Sequence, residues 1–212
     1  VVAGGRTILD IPGLEVAAGA LVVLRGASGA GKSTALNVLS GNVAAQAGQV
    51  RWGATDIAAL PPSGRRRFRR ERLGLLFQDY RLFAELGALD NAALSAAWAP
   101  APRRAGLRAT ARASLDRLGL ADAARRPVAV MSGGERQRVA MARALSTGPA
   151  VILADEPTAS LDRDNADRLA GDLALLAGAH TLVVVSHDPA MQARATRLLT
   201  LADGRIVDDS DA

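Results

Sequence analysis

Leu21-Val22-Val23-Leu24-Arg25-Gly26-Ala27-Ser28-Gly29-Ala30-Gly31-Lys32-Ser33-Thr34 is the stretch that decides the fold. The apolar run Leu21 to Arg25 reads as a strand buried on both faces, and the helical pattern from Lys32 to Leu39 stops at Ser40, Gly41 and Asn42. Between them, Gly26 to Ser33 has the spacing of a phosphate loop. Small residues there let successive backbone N–H groups converge on phosphate oxygens at a helix N-terminus. In such a loop Lys32 neutralises the β- and γ-phosphates, Ser33 turns its hydroxyl to Mg²⁺, Gly31 allows close backbone approach, and Thr34 adds an α-phosphate contact. A glycine-rich turn matching by chance would lack the flanking strand and helix.

Outward from the loop, apolar segments recur at strand length. Strands are expected at Thr7 to Ile11 and Leu14 to Val16, at Gln49 to Trp52, Leu73 to Phe77, Val151 to Ala154 and Thr181 to Ser186. Leu198 to Leu201 is expected to pair across Asp203-Gly204 with Arg205 to Val207. Helices fall between these. The stretch Leu89 to Leu145 differs, with helical patterns at Ala105 to Leu118 and Gly133 to Leu145 and one weak strand candidate, Val128 to Val130. The expectation is a single α/β domain over residues 1–212, a mixed parallel sheet with flanking antiparallel strands and an inserted helical subdomain at about 88–147.

Composition narrows the function classes. No apolar run reaches the ~18 residues of a membrane helix, and the N-terminus lacks signal-peptide sections, so any membrane role must come through a partner. There are no cysteines, which excludes disulfides and cysteine-held metals. The chain starts at Val1 without an initiator Met, from which we expect that something upstream is missing. The net charge of +5 is uneven: Arg65 to Arg72 is the densest basic run. It reads as a solvated helix face. Phosphate or lipid-headgroup contacts are the competing reading, but no aromatic stacking platform accompanies the run. Every basic residue is Arg except Lys32. A compact ammonium is retained only where it must reach into a phosphate cage.

Two further segments carry chemistry. Val151-Ile152-Leu153-Ala154-Asp155-Glu156 is an apolar strand ending in two carboxylates that alternation turns to different sides. Asp155 is suited to hold magnesium, and Glu156 to polarise the water attacking the γ-phosphate. Met131-Ser132-Gly133-Gly134-Glu135 opens a helix, a second anion-binding helix start that two chains arranged head to tail could share. It is equally an N-cap at Ser132 with Glu135 completing a capping box.

Taken together, the loop at 26–33, SGGERQ at 132–137, ADEPTASLD at 154–162 and SHD at 186–188 resemble the ATPase subunits of ABC transporters over essentially the whole chain, in the right order. SGGERQRVAMARAL and ADEPTASLD are most similar to the small ATPases of lipoprotein release, macrolide export and cell division. The resemblance makes the loop at 26–33 a Walker A motif and Asp155-Glu156 the end of a Walker B motif. It implies that Gln78 links Mg²⁺ to the membrane partner. It implies that Ser132, Gly133 and Gly134 contact the γ-phosphate held by the other protomer. Asp162 then communicates across the dimer and His187 is the γ-phosphate switch. His187 also follows the strand Thr181 to Val185 at its C-terminal end, where open α/β sheets bind ligands; His180 precedes that strand and is taken as structural.

Met131 and Glu135 stand where the family usually has Leu and Gln, and neither exchange threatens activity. Residues 1–25 contain no aromatic residue to stack on adenine, which we attribute to truncation before Val1. Trp52 and Trp98 are expected to be packing residues. The resemblance therefore implies an ATP- and Mg²⁺-dependent motor at the cytoplasmic face of the plasma (inner) membrane. It would be peripheral there, dimeric with a second copy and joined to a transmembrane permease subunit, with no nucleic acid expected. A rival is a non-transport ABC ATPase acting on DNA or chromosomes through the basic run. Such proteins insert coiled coils or zinc modules that this chain lacks.

Overall fold

A computed structural model describes residues 1–159 and 161–211. Two short antiparallel pairs lie in the first part of the chain: β1 (Val2–Ala3) with β2 (Arg6–Thr7), and β4 (Arg51–Trp52) with β5 (Thr55–Asp56). The main sheet contains β3 (Leu21–Arg25), β6 (Leu73–Leu76), β7 (Val151–Asp155), β8 (Thr181–Val185), β9 (Arg197–Ala202) and β10 (Arg205–Asp211), in the order β10-β9-β3-β8-β7-β6. Its first five named strands are mutually parallel, and β10 returns antiparallel to β9 across Asp203-Gly204. The helices are α1 (Lys32–Leu39), α2 (Pro62–Arg72), α3 (Ala88–Ala92), α4 (Ala101–Arg117), α5 (Gly133–Leu145), α6 (Arg163–Leu176) and α7 (Pro189–Gln192).

The strands are continuous apolar runs because both faces are covered. Leu21, Val23, Ile152, Ala154, Leu182 and Val184 face a core shared with Met141 of α5 and Leu169 and Leu173 of α6. Their neighbours Val22, Leu24, Leu153, Val183 and Val185 face the opposite core, filled by Ala35, Leu36 and Val38 of α1. This period-two division follows from the pleat. A third apolar cluster lies apart from the sheet and joins Ala88 and Ala92 of α3, Ala111 and Leu115 of α4, and Val139 and Ala142 of α5.

Four sequence expectations are corrected. Thr7 to Ile11 pairs as a strand only through Thr7, because two successive amides then converge on one carbonyl and the alternation of a ladder is lost. Ile8 N–H and Leu9 N–H both donate to Val1 O, and Asp10 N–H donates to Gly204 O. Leu14 to Val16 is not a strand; Leu14 and Val16 instead pack their side chains on the core. Val128–Val130 is a 3₁₀ turn: Pro127 precedes it, and Val130 N–H returns three residues to Pro127 O at 3.3 Å. Finally, Trp52 packs as expected, its indole N–H donating to Leu39 O at 2.9 Å, but Trp98 is 62% exposed.

Candidate nucleotide site

Parallel strands deliver their C-terminal ends to one edge of a sheet, and the order β3-β8-β7-β6 lines up the sequence motifs along it. Gly26 follows β3, Ser186 and His187 follow β8, Asp155 ends β7 with Glu156 next, and Gln78 lies two residues beyond β6. With strands about 4.8 Å apart, the loop and Gln78 are separated by three spacings, roughly 14 Å along the edge.

The loop is shaped by its glycines. At Gly26, φ is 149°, and a Cβ would sit 2.1 Å from the carbonyl oxygen of Leu201 on β9. Only glycine fits there. Gly31 has φ of 102° and precedes α1 without any side-chain cap, so the first amides of α1 remain directed to the loop. Lys32 Nζ donates to Gly26 O at 2.8 Å and Ala27 O at 3.0 Å, folding the ammonium back over Ala27, Ser28, Gly29 and Ala30.

Ser33 and Asp155 come together from α1 and β7. Ser33 Oγ donates to Asp155 Oδ1 at 3.4 Å. Burial raises the Asp155 pKa above the ordinary carboxylate range; the Ser33 hydroxyl opposes that shift, and the neighbouring Glu156 charge adds to it. A buried carboxylate that is costly to ionise beside a hydroxyl is a donor set suited to a hard divalent cation. Gln78 lines the same cleft as Asp155, a space of about 470 Å³ that Phe77, Asp79, Tyr80 and Arg81 complete. The residues present therefore fit Mg²⁺.

Glu156 adopts φ of 45°, a left-handed conformation uncommon for a residue with a Cβ, while its N–H still extends the ladder to Val185 O at 2.9 Å. His187 Nδ1 lies 2.9 Å from Glu156 Oε2, with side chains 75% and 18% exposed respectively. Glu156 Oε2 has no aligned hydrogen bond, so the two groups are close without a directed bond between them. His180 binds Pro149 O through Nδ1 at 2.6 Å, away from the edge, as a structural histidine would.

Ser132 and Asp162 both occupy helix N-caps. Ser132 Oγ accepts from Glu135 N–H at 3.3 Å, and Glu135 Oε2 accepts from Ser132 N–H at 2.8 Å, the reciprocal capping box expected from sequence. Ser132 N–H, together with Arg126, which also pairs with Glu135, holds that carboxyl below the ordinary range. Gly133 and Gly134 form the first turn of α5. Asp162 accepts from Asn165 N–H at 3.0 Å and Asn165 Nδ2 at 2.7 Å, capping α6. Asn165 Oδ1 also lies 3.5 Å from where a Cβ on Gly134 would stand, which brings the Asp162 cap next to the start of α5.

Sequence reading missed Arg81. Its guanidinium stacks over the Phe77 ring at 4.1 Å, pairs with Asp79 at 3.4 Å and helps to offset the upward shift at Asp155. It sits in a run where Tyr80 and Arg81 have φ of 55° and 48°, a conformation that no local glycine announces.

Known proteins share the sequence and fold of this chain. The family model described as ABC transporter matches residues 9–159. The macrolide export ATP-binding/permease protein MacB 1/2 of Paracoccus denitrificans is 42% identical over 205 residues, 96% of this chain and 30% of the relative. A probable export ATP-binding/permease protein MacB of Pseudomonas entomophila is 40% identical over 210 residues, 98% of this chain and 31% of the relative. The chain thus spans about 30% of the length of these relatives. Among solved structures, the dimeric bacterial ABC transporter cassette MJ0796 superposes with a TM-score of 0.80 at 31% identity, covering 93% of this chain and 88% of that one. Its post-hydrolysis form bound to ADP and Pi gives 0.77 at 29% identity with the same coverage. A family model matched across most of the chain, and relatives at least 40% identical over nearly all of it, make this polypeptide a member of the ABC transporter family, one of its ATP-binding cassettes.

Proposed function

We propose that this chain hydrolyses ATP as the motor of an exporter, each ATP clamped between Gly26–Ser33 of one copy and Ser132–Gly134 of a second. The observation that carries the reading is the convergence on one sheet edge of the Lys32 loop, the Ser33–Asp155 pair and Glu156 beside His187. In this reading phosphate oxygens replace the carbonyls of Gly26 and Ala27 as partners of Lys32. The loop amides from Gly26 to Ser33 cradle the phosphates and Thr34 adds a contact at the α-phosphate. Ser33, Asp155 and Gln78 hold Mg²⁺, which when bound neutralises charge on the β- and γ-phosphates. Glu156 orients and polarises the attacking water, and His187, 2.9 Å from its carboxylate, senses the γ-phosphate. Asp162 caps α6 next to Gly134 and carries the state of one site toward the other.

Loss of the γ-phosphate removes the group that both copies grip, so the two halves separate. A permease unit docked near Gln78 and the helices at about 88–147 turns that separation into transport. The matched relatives are named as ATP-binding and permease protein together, and their names support export. No helix among the described residues is long and apolar enough to cross a membrane, and we place the chain peripherally at the cytoplasmic face of the membrane that carries the permease.

A head-to-tail pair can be tested by complementation. Lys32→Ala and Gly134→Asp each disable both sites of their own homodimer, whereas a mixed pair has one site with intact halves. Random pairing of equal amounts predicts recovery of up to about a quarter of wild-type turnover. Mixtures of the two folded variants that remain inactive would overturn the shared site.

A further inference from the structure

Arg143, on the last turn of α5, spends its donors on backbone. Nη1 donates to Arg81 O and Nη2 to Tyr80 O, both at 2.6 Å. Those carbonyls belong to the two consecutive residues held at φ of 55° and 48°. Left-handed pairs without glycine persist only where their surroundings hold them. Here the surroundings are the Arg143 fork, the Tyr80 and Leu82 side chains on the sheet core, and the Arg81 stack on Phe77. Burial, and then the nearby Arg81 cation, lower the Arg143 pKa, so the guanidinium occupies an environment that disfavours charge. Its partners are two carbonyls, each met by a separate donor of the rigid planar fork, whereas a lysine would bring one compact ammonium on a shorter-reaching, flexible stem.

The same helix is capped by Ser132, and the ten residue-to-residue rises from Gly133 to Arg143 make a rod of about 15 Å. One end of this rod carries Ser132–Gly134. The other grips the loop that contains Gln78.

Resting on the function proposed above, we propose that Arg143 is a positioning residue that locks the Gln78–Leu82 loop to α5, so that Gln78 and the Ser132–Gly134 helix start move as one body. Any shift of Gln78 on the metal side of one site is then carried directly to the surface this copy offers to the other. Arg143 itself touches neither nucleotide nor metal.

The test compares wild type with Arg143→Met, which keeps the buried stem, and Arg143→Lys, which keeps the charge but loses the fork. Steady-state ATP hydrolysis is measured against ATP and against Mg²⁺, with amide exchange at residues 78–82 and 133–136 with and without Mg-ATP. We expect kcat to fall on the order of tenfold to hundredfold in both variants, the cost typical of a misplaced catalytic group, while KM for ATP stays within about twofold because the loop at 26–33 is untouched. The Mg²⁺ concentration for half-maximal rate should rise. Protection on adding Mg-ATP, which should appear at both segments together in wild type, should appear at only one in the variants.

Wild-type kcat and Mg²⁺ dependence in either folded variant would overturn the proposal, and so would a loss of rate that merely tracks the loss of folded protein by melting. If Arg143→Met fails to fold, the same measurements on Arg143→Lys decide. Wild-type protein that hydrolyses no ATP would defeat the proposed function instead, an outcome distinct from an active wild type with indifferent variants.

Discussion

Replacing Gly26 by alanine should damage this protein far more than the same change three residues later at Gly29. Both glycines have positive φ, 149° and 82°, so both exchanges put a side chain where L-residues are disfavoured. At Gly29 nothing lies within 4 Å of the new methyl group, leaving only the backbone penalty, about 1–2 kcal/mol. At Gly26 the methyl carbon would overlap the Leu201 carbonyl at 2.1 Å, and that oxygen belongs to the strand pairing beside β3. Strain of roughly 1–3 kcal/mol and overpacking of similar size then combine to roughly 2–6 kcal/mol. That is a large share of the 5–15 kcal/mol that holds a typical domain together. With a urea slope of about 2 kcal/mol/M, a loss of 4 kcal/mol moves the midpoint down by about 2 M, and Gly29→Ala should move it by less than about 1 M. Nucleotide binding should be lost in Gly26→Ala even at urea concentrations where it remains folded, because relief of the clash must displace the loop. Equal midpoints for the two variants, or a Gly26→Ala protein as stable as wild type, would refute the packing argument.

Asp155→Asn should stabilise the protein without magnesium near neutral pH. Since burial raises the Asp155 pKa, its contribution is fully favourable below the ordinary Asp range, about pH 3.9, and is lost as pH rises through the higher folded value. Urea midpoints at pH 4 and 7.5 should show the variant's advantage only at the higher pH, and added Mg²⁺ should stabilise wild type alone. Ser132→Ala removes one half of the capping box and should cost about 1 kcal/mol in stability. If Ser132 also meets phosphate across the pair, turnover should fall much further than that loss explains; a fall matching stability alone would leave Ser132 a cap. The Glu135 contribution has the opposite pH sense. Its carboxyl is held low by Ser132 N–H and Arg126, so that stability is present above the ordinary Glu range and lost as pH falls through the folded value.

Much of the site was legible because its chemistry is local in sequence. A strand, a loop of small residues and a helix are adjacent in the chain, so Gly26–Ser33 could be read without knowing what packs on it. Asp155 and Glu156 were legible because an apolar strand on both faces can end in two acids only at a sheet edge. The meeting of these segments needed the parallel order of β3, β8, β7 and β6, which no short window contains. Arg143 shows the limit most clearly. In the sequence it is one arginine in a helical pattern, and its role depends on two carbonyls more than sixty residues away. Thr7 to Ile11 failed for a related reason: its apolar pattern is strand-like, but two successive amides converge on Val1 O and the next bonds to Gly204 O, far along the chain, which ends the ladder. Trp98 failed because apolar character alone does not say which surface remains uncovered.

The most direct test of the account is the behaviour of Glu156→Gln with ATP and Mg²⁺, followed by light scattering and phosphate release. Lacking the carboxylate proposed to polarise water but keeping every group proposed to grip phosphate, this variant should release almost no phosphate. Its mass should double from 21.9 kDa only when nucleotide is present. Normal turnover in Glu156→Gln, or an arrested variant that stays monomeric with saturating ATP, would contradict the shared, water-activating site.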